Sequence, residues 1–380
     1  MSAPGSIDII LGGDGNGRGV NIVSGRRALP DAITRGRAPA EVAALLPRLF
    51  AVCALAQGAA AVEACENALG ATADDALAAK RAFLVRGEAA REHLLRLIVE
   101  APRSLGAQPS PEDLAALRGL AGALRRAVEE MPLAHWQELK RSIRIHVEDL
   151  VARHLYQPNA TDEPEGFLEW LAGNERPFAL FCRYLIERDE AALGAGDEQS
   201  RNVADISMAD IGARLLGPDG AGFSTRPAID GGQPETTAFM RHLDAPLVAD
   251  LRARFGDGIL ARIVARQLEV VSLATELAQL DDSSDLGAAP FQPAGASRMA
   301  GEGFAAIETA RGRLIHAVRL QGGSVTDYRI LAPTDWNFHP TGPVARRLST
   351  LGGRGSGIEQ RARLLIDAFD PCAPYRLTVQ

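Results

Sequence analysis

The sequence predicts a mainly α protein with a small β element, an α+β fold built on a helical bundle core. Three observations predict it. Apolar residues recur at helical spacing through most of positions 39–280. The period switches to two near Arg313–Leu320. Alanine and leucine dominate the helical stretches, which favours close helix packing. A single domain over 1–380 is expected, with an N-terminal β hairpin region at 1–35 and a helical body at 36–282. A flexible loop at 283–303 and a closing segment at 304–380, holding a β hairpin and the C-terminal motif, complete it.

Each element has its own signal. Ile7-Asp8-Ile9-Ile10-Leu11 and Val20-Asn21-Ile22-Val23 flank a Gly/Asn turn and read as a hairpin. The glycines of Gly12–Gly17 lack the Gly-Lys-Ser/Thr ending of a phosphate loop, so a turn is expected there. Leu45, Leu49, Val52, Leu55 and Ala59 mark one helix over 39–69. A second is expected over 73–99, with Pro102 beyond its end. Further helices are expected at 112–130, 135–155, 167–193, 236–254 and 259–280. Three Pro/Gly/Ser-rich stretches at 157–166, 217–234 and 283–303 read as loops. Leu314, His316, Val318 and Leu320 then alternate with Arg313, Ile315, Ala317 and Arg319. Gln321-Gly322-Gly323-Ser324 turns the chain, and 325–331 returns.

Bulk properties exclude several classes. Net charge is -7 with acids and bases interspersed, which argues against nucleic acid and against a polybasic membrane anchor. No run reaches the ~18 apolar residues of a membrane span. Met1-Ser2-Ala3-Pro4-Gly5 has no basic region followed by an apolar block, so no signal peptide is expected. Four cysteines (Cys53, Cys65, Cys182, Cys372) in 380 residues suggest a reducing cytoplasm rather than a disulfide framework. Taken alone, Cys53 on its apolar helix reads as a core thiol.

Two stretches add chemistry: Asp370-Pro371-Cys372-Ala373-Pro374-Tyr375 and Ala332-Pro333-Thr334-Asp335-Trp336-Asn337. They resemble the DPCxxCxxH and VPTTWNxxP motifs of the large subunit of nickel-iron hydrogenases. Arg48-Leu49-Phe50-Ala51-Val52-Cys53, with Gln57 four residues on, resembles that family's RxCGxC…H. Gly36-Arg37-Ala38-Pro39 resembles its G-R-x-P, and Asp31 falls where it carries a glutamate implicated in proton transfer. Glu308-Thr309-Ala310-Arg311-Gly312-Arg313-Leu314-Ile315-His316 resembles EAPRGxLGH, and Pro234–Arg241 resembles PxEVGPLAR. The likeness spans 24–106, 223–273 and 303–375; residues 107–222 match poorly.

The resemblance implies a nickel site at half strength. The family's nickel sits among four thiolates, two of which bridge to an iron carrying two cyanides and one carbon monoxide. Here Phe50 and Tyr375 stand at two thiolate positions, and Gln57 and Thr378 at the histidines. Cys53 matches a bridging position and Cys372 a terminal one. Soft thiolates suit iron, and these two plus three diatomic ligands make a plausible five-donor set, with no nickel expected. Arg311 matches the arginine that donates to a cyanide; a guanidinium is a permanently charged fork suited to an anion in a dry pocket. Pro333 and Thr334 match the residues against the carbon monoxide and the other cyanide. Cys65 and Cys182 match no ligand position and read as core thiols; for His93 a packing role is as good a reading as a site role.

The sequence stops at Gln380, so the cleavable tail of the catalytic precursors is not expected. Together these departures resemble the HupK/HoxV-type hydrogenase maturation proteins. That resemblance implies a non-catalytic scaffold on which Fe(CN)2CO is assembled or held. Its expected partners are a HypC-type maturation chaperone and the hydrogenase large-subunit precursor, with no nucleic acid and no membrane. Two alternatives stay open: a metal-free pseudo-subunit that binds chaperones or a small subunit, and a divergent active large subunit.

Overall fold

The computed structural model describes residues 5–12, 19–25, 29–50, 52–71, 74–129, 133–157, 164–196, 201–282, 300–352 and 356–380. The expected turn at 13–17 and most of the 283–303 loop lie outside them. The chain divides into two compact units, each assembled from separated stretches. Unit 1 comprises Met1–Ala78, Asp197–Thr237 and Pro290–Gln380; unit 2 comprises Ala79–Gly196 and Ala238–Ala289.

Unit 1 carries two three-stranded sheets. In the first, β1 (Ile7–Gly12) pairs antiparallel with β2 (Gly19–Ser24), as the hairpin pattern predicts. The second is an antiparallel meander of β3 (Glu302–Thr309), β4 (Gly312–Gln321) and β5 (Ser324–Leu331). β6 (Tyr375–Val379) returns to the first sheet and pairs parallel with β1, Ile7 facing Tyr375 and Leu11 facing Val379. The expected hairpin of 313–331 is therefore two strands of three, and the loop ends at Glu302 instead of 303. β3 was hidden because Gly303, Ala305 and Ala306 carry little strand propensity. Packing demands those small residues: a Cβ on Gly303 would lie 2.0 Å from the Ala64 carbonyl oxygen of the helix Ala54–Leu69. That helix lies backbone against backbone on β3, and Asn67 Nδ2 donates to the Phe304 carbonyl at 2.7 Å. The sheet's other face buries Ile211, Leu215, Ile315, Leu331 and Trp336 together, with Phe223 edge-on to Trp336 at 6.0 Å.

The predicted 39–69 helix is broken. Pro39–Leu45 is α, Leu46–Leu49 is a 3-10 turn, and the helix resumes at Ala54–Leu69. Pro47 lacks the N–H a continuing helix needs, and its ring clashes with the preceding turn. Cys53 sits at the new N-cap with non-helical backbone (φ -132°, ψ 43°), so the break presents it at a helix end.

Among its described residues, unit 2 has helices and connecting turns and no strand. It holds most of Asp75–Leu95, with Pro111–Glu129, Leu133–His154, Pro164–Ala172, Pro177–Glu187, Ala238–Arg241, Pro246–Phe255 and Ile259–Asp282. The expected helices at 167–193 and 236–254 each divide before a proline, Pro177 or Pro246, which opens a fresh first turn. Phe83 meets Trp136 edge-on at 5.6 Å in the core. Buried Lys140 donates to the Leu280 carbonyl at 2.9 Å, a cation at a helix C-terminus. His93 is fully buried in this unit. No helix among the described residues is long and apolar enough to cross a membrane.

Candidate functional site

The start of β4 and the end of β5 gather the sequence motifs. β5 ends at Leu331, and Pro333 opens the short helix Pro333–Asn337. Asp335 accepts from the Ala332 backbone N–H at 2.9 Å and caps it. Thr334 is thereby held on the first turn. Its hydroxyl donates to Cys372 Sγ at 3.0 Å and accepts from the Cys372 backbone N–H at 3.0 Å. One hydroxyl thus fixes both the cysteine's backbone and its sulfur. Two residues earlier, buried Asp370 takes a positive φ of 54° and faces Arg311 Nη2 at 3.4 Å. Arg311 sits in the turn between β3 and β4, where its backbone N–H donates to Thr309 Oγ1 at 3.2 Å.

A side-chain clamp holds that turn and the Thr334 helix together. Asn337 Nδ2 donates to the Thr236 carbonyl at 2.7 Å, and Asn337 Oδ1 accepts from Thr236 N–H at 3.0 Å. Thr236 Oγ1 accepts from the Arg313 backbone at 2.8 Å. Gly312 has φ +124°, and a Cβ there would stand 2.3 Å from the Thr236 oxygen. Only glycine meets both conditions. Thr236, Gly312 and Asn337 come from three separate motifs, and each is explained by contact with the others.

Cys53 belongs to a second file of contacts on the same strand. Gln57 Nε2 donates to Cys53 Sγ at 3.7 Å. Gln57 Oε1 lies 2.9 Å from His316 Nε2, and His316 Nδ1 lies 2.8 Å from the Tyr328 hydroxyl. His316 is in β4, five residues beyond Arg311. Burial pushes its imidazole down to about 3, so it is neutral at physiological pH.

The four thiols divide into two pairs. Cys65 and Cys182 are buried. Burial pushes the Cys65 thiol up to about 12, with Glu66 adding repulsion, and burial raises Cys182 as well. Neither is poised to become a thiolate ligand. Cys53 and Cys372 are half-buried. At the absent thiolate positions, Phe50 is half-buried after the 3-10 turn. Tyr375 donates its hydroxyl to Asp367 at 3.0 Å; burial and the Asp367 charge push that phenol well above its ordinary value. Asp31 is engaged as an ion-pair partner, 2.8 Å from Arg35 and 3.1 Å from Arg329. Burial works to raise its carboxyl, but the two guanidiniums prevail and hold it below the usual range.

Of the sequence-predicted residues, Cys372, Thr334 and, through Asp370, Arg311 are brought together; Pro333 is buried beside them in the same turn. Cys53 is tied to the strand through Gln57 and His316 instead. His93 lies in the other unit. Sequence reasoning did not single out Asp370, Thr236, Asn337 or Tyr328 as supports. Their signal was present only as neighbours of matched residues. Among the described residues, no three or more His, Cys, Asp or Glu gather as a metal cage.

Comparison with known proteins identifies the fold and the family. Residues 231–373 match the family model of nickel-dependent hydrogenases. The nickel-iron-selenium hydrogenase of D. vulgaris Hildenborough superposes with a TM-score of 0.64 at 16% identity, covering 95% of this chain and 94% of that one. The fold is therefore that of the hydrogenase large subunit. Two curated relatives come nearer in sequence. The hydrogenase expression/formation protein HupV of Azotobacter chroococcum mcd 1 is 32% identical over 88% of this chain and 86% of its own length. HupK of Bradyrhizobium diazoefficiens is 32% identical over 90% and 87%. The chain belongs to this family of hydrogenase expression/formation proteins.

Proposed function

We propose that this chain is a non-catalytic scaffold of nickel-iron hydrogenase maturation that receives Fe(CN)2CO as cargo and passes it to the large subunit. Cys53 and Cys372 supply the thiolates. Arg311 faces an anionic diatomic ligand, and Pro333 and Thr334 line the remaining side. The observation that carries this reading is Thr334's double bond to Cys372, through sulfur and backbone N–H, beside the Arg311–Asp370 pair. Thr334 is hydrogen-bonded to Cys372 and Arg311 reaches the same tail through Asp370, while Phe50 and Tyr375 stand where the motif likeness expects two nickel thiolates. Two thiolates do not complete a metal's first shell, which suits a metal that arrives with ligands of its own.

A HypC-type chaperone and the large-subunit precursor are the partners this role requires, and a cytoplasmic location follows from them. Infrared spectroscopy on protein purified from hydrogenase-competent cells tests the reading. Cyanide and carbonyl stretches are expected, and each of Cys53→Ala and Cys372→Ala removes them. Their absence from wild-type protein that still binds a maturation chaperone would leave the metal-free pseudo-subunit in its place. Nickel at one per chain with hydrogen uptake would make it an active enzyme.

A further inference from the structure

Cys53, Gln57, His316 and Tyr328 form an unbroken file of hydrogen-bonding groups, with links of 3.7, 2.9 and 2.8 Å. Gln57 is 1% exposed, and His316 and Tyr328 are fully buried. With a neutral imidazole, only two placements of the protons satisfy every link. In one, Tyr328 O–H donates to His316 Nδ1, His316 Nε2–H donates to Gln57 Oε1, and the Gln57 amide N–H donates to the Cys53 sulfur. In the other, the amide is turned round and every donor reverses, so that Cys53 S–H must donate to the amide oxygen. A thiolate has no proton to give, and neither does a sulfur that holds a metal. Such a sulfur admits the first placement alone, and that is the orientation the Gln57 amide adopts. The neutral state of His316 keeps one ring nitrogen available as the acceptor the first placement needs.

We propose that Gln57, His316 and Tyr328 are positioning residues forming a one-way donor chain onto Cys53, which holds its sulfur as an acceptor for a soft metal cation and couples its occupancy to the His316 tautomer. The proposal deepens the cargo reading and rests on it only for the identity of the natural metal. The chain itself would serve any soft cation.

Cadmium alone is the probe, with the full-length protein. The Cys53-dependent part of the thiolate-to-cadmium charge-transfer band is obtained by difference against Cys53→Ser. Nitrogen NMR of histidine-labelled protein reads the tautomer. Cadmium-loaded wild-type protein should show His316 protonated at Nε2 and bare at Nδ1. Gln57→Leu should weaken cadmium at Cys53 about tenfold, which corresponds to about 1.4 kcal/mol. Tyr328→Phe keeps the ring and touches no sulfur; loaded with cadmium it should still show the Nε2–H tautomer, because the Gln57 amide oxygen continues to take that proton. Unchanged cadmium affinity in Gln57→Leu, or an Nδ1–H tautomer in loaded wild-type protein, overturns the proposal. Should Gln57→Leu melt early, the cadmium-loaded Tyr328→Phe protein decides: an Nδ1–H form or a mixture of tautomers in that variant also overturns it. Cadmium binding that behaves as expected, in a protein that carries no cyanide or carbonyl bands from cells, sinks the iron reading and leaves the chain standing.

Discussion

Thr334→Val isolates the hydroxyl that holds Cys372. Valine has nearly threonine's shape, so the buried site keeps its packing and loses only the two polar contacts, each 3.0 Å in the wild type. The Cys372 N–H loses its acceptor, which costs about 1–3 kcal/mol when the donor is shielded from water. Cys372 is half-buried, so the middle of that range, about 2 kcal/mol, is the expected loss. If it falls on local opening of the tail, the open population rises about thirtyfold. Hydrogen–deuterium exchange of a peptide spanning Asp370–Tyr375 measures this without any cargo bound. Thr334→Ser keeps the hydroxyl and should hold protection near wild type. Equal protection at Cys372 in wild type and Thr334→Val would refute the reasoning, as would a serine variant that opens like valine.

Other expectations follow from the same structure. In native protein near neutral pH, a thiol reagent should label Cys53 and Cys372 and spare Cys65 and Cys182 until denaturant is added; peptide mapping reads this directly. Gly312→Ala combines φ +124° with a Cβ 2.3 Å from a backbone oxygen. It should destabilise by more than about 2 kcal/mol, visible as an early thermal transition. His316 binds a proton less readily folded than unfolded. Its contribution to stability is therefore full above 6.5 and is lost as pH falls from 6.5 toward about 3. His316→Gln should flatten denaturant midpoints across that window; an equally steep fall in the variant assigns the pH dependence to other groups.

Much of the fold was legible because helical periodicity survives in sequence. The Ile7–Leu11 hairpin and the Arg313–Leu331 return appear as predicted. What failed were places where tertiary contact overrides local pattern. β3 reads as weak strand because its small residues answer to a helix backbone that sequence cannot see. β6 is five residues long with Leu377 as its one buried position, and period-two alternation has no length in which to show. At the site, Thr334 and Cys372 were named from motif likeness and meet directly. The Asn337–Thr236 clamp was not named, because its partners are a hundred residues apart and neither is unusual for a loop or a helix end. Gln57 was read only as standing at a histidine position of the motif, whereas its amide joins Cys53 to a buried histidine.

The pairing of β6 with β1 sets a timetable. Ile7 leaves the ribosome early and waits for its partner Tyr375 until the helices and the other sheet between them have emerged. The bend that carries Cys372 gains its fixed place only when that late strand docks. In the proposed role, a chain without that strand docked offers Cys53 but no fixed Cys372, so a partner delivering cargo would be received only once the strand has joined the sheet.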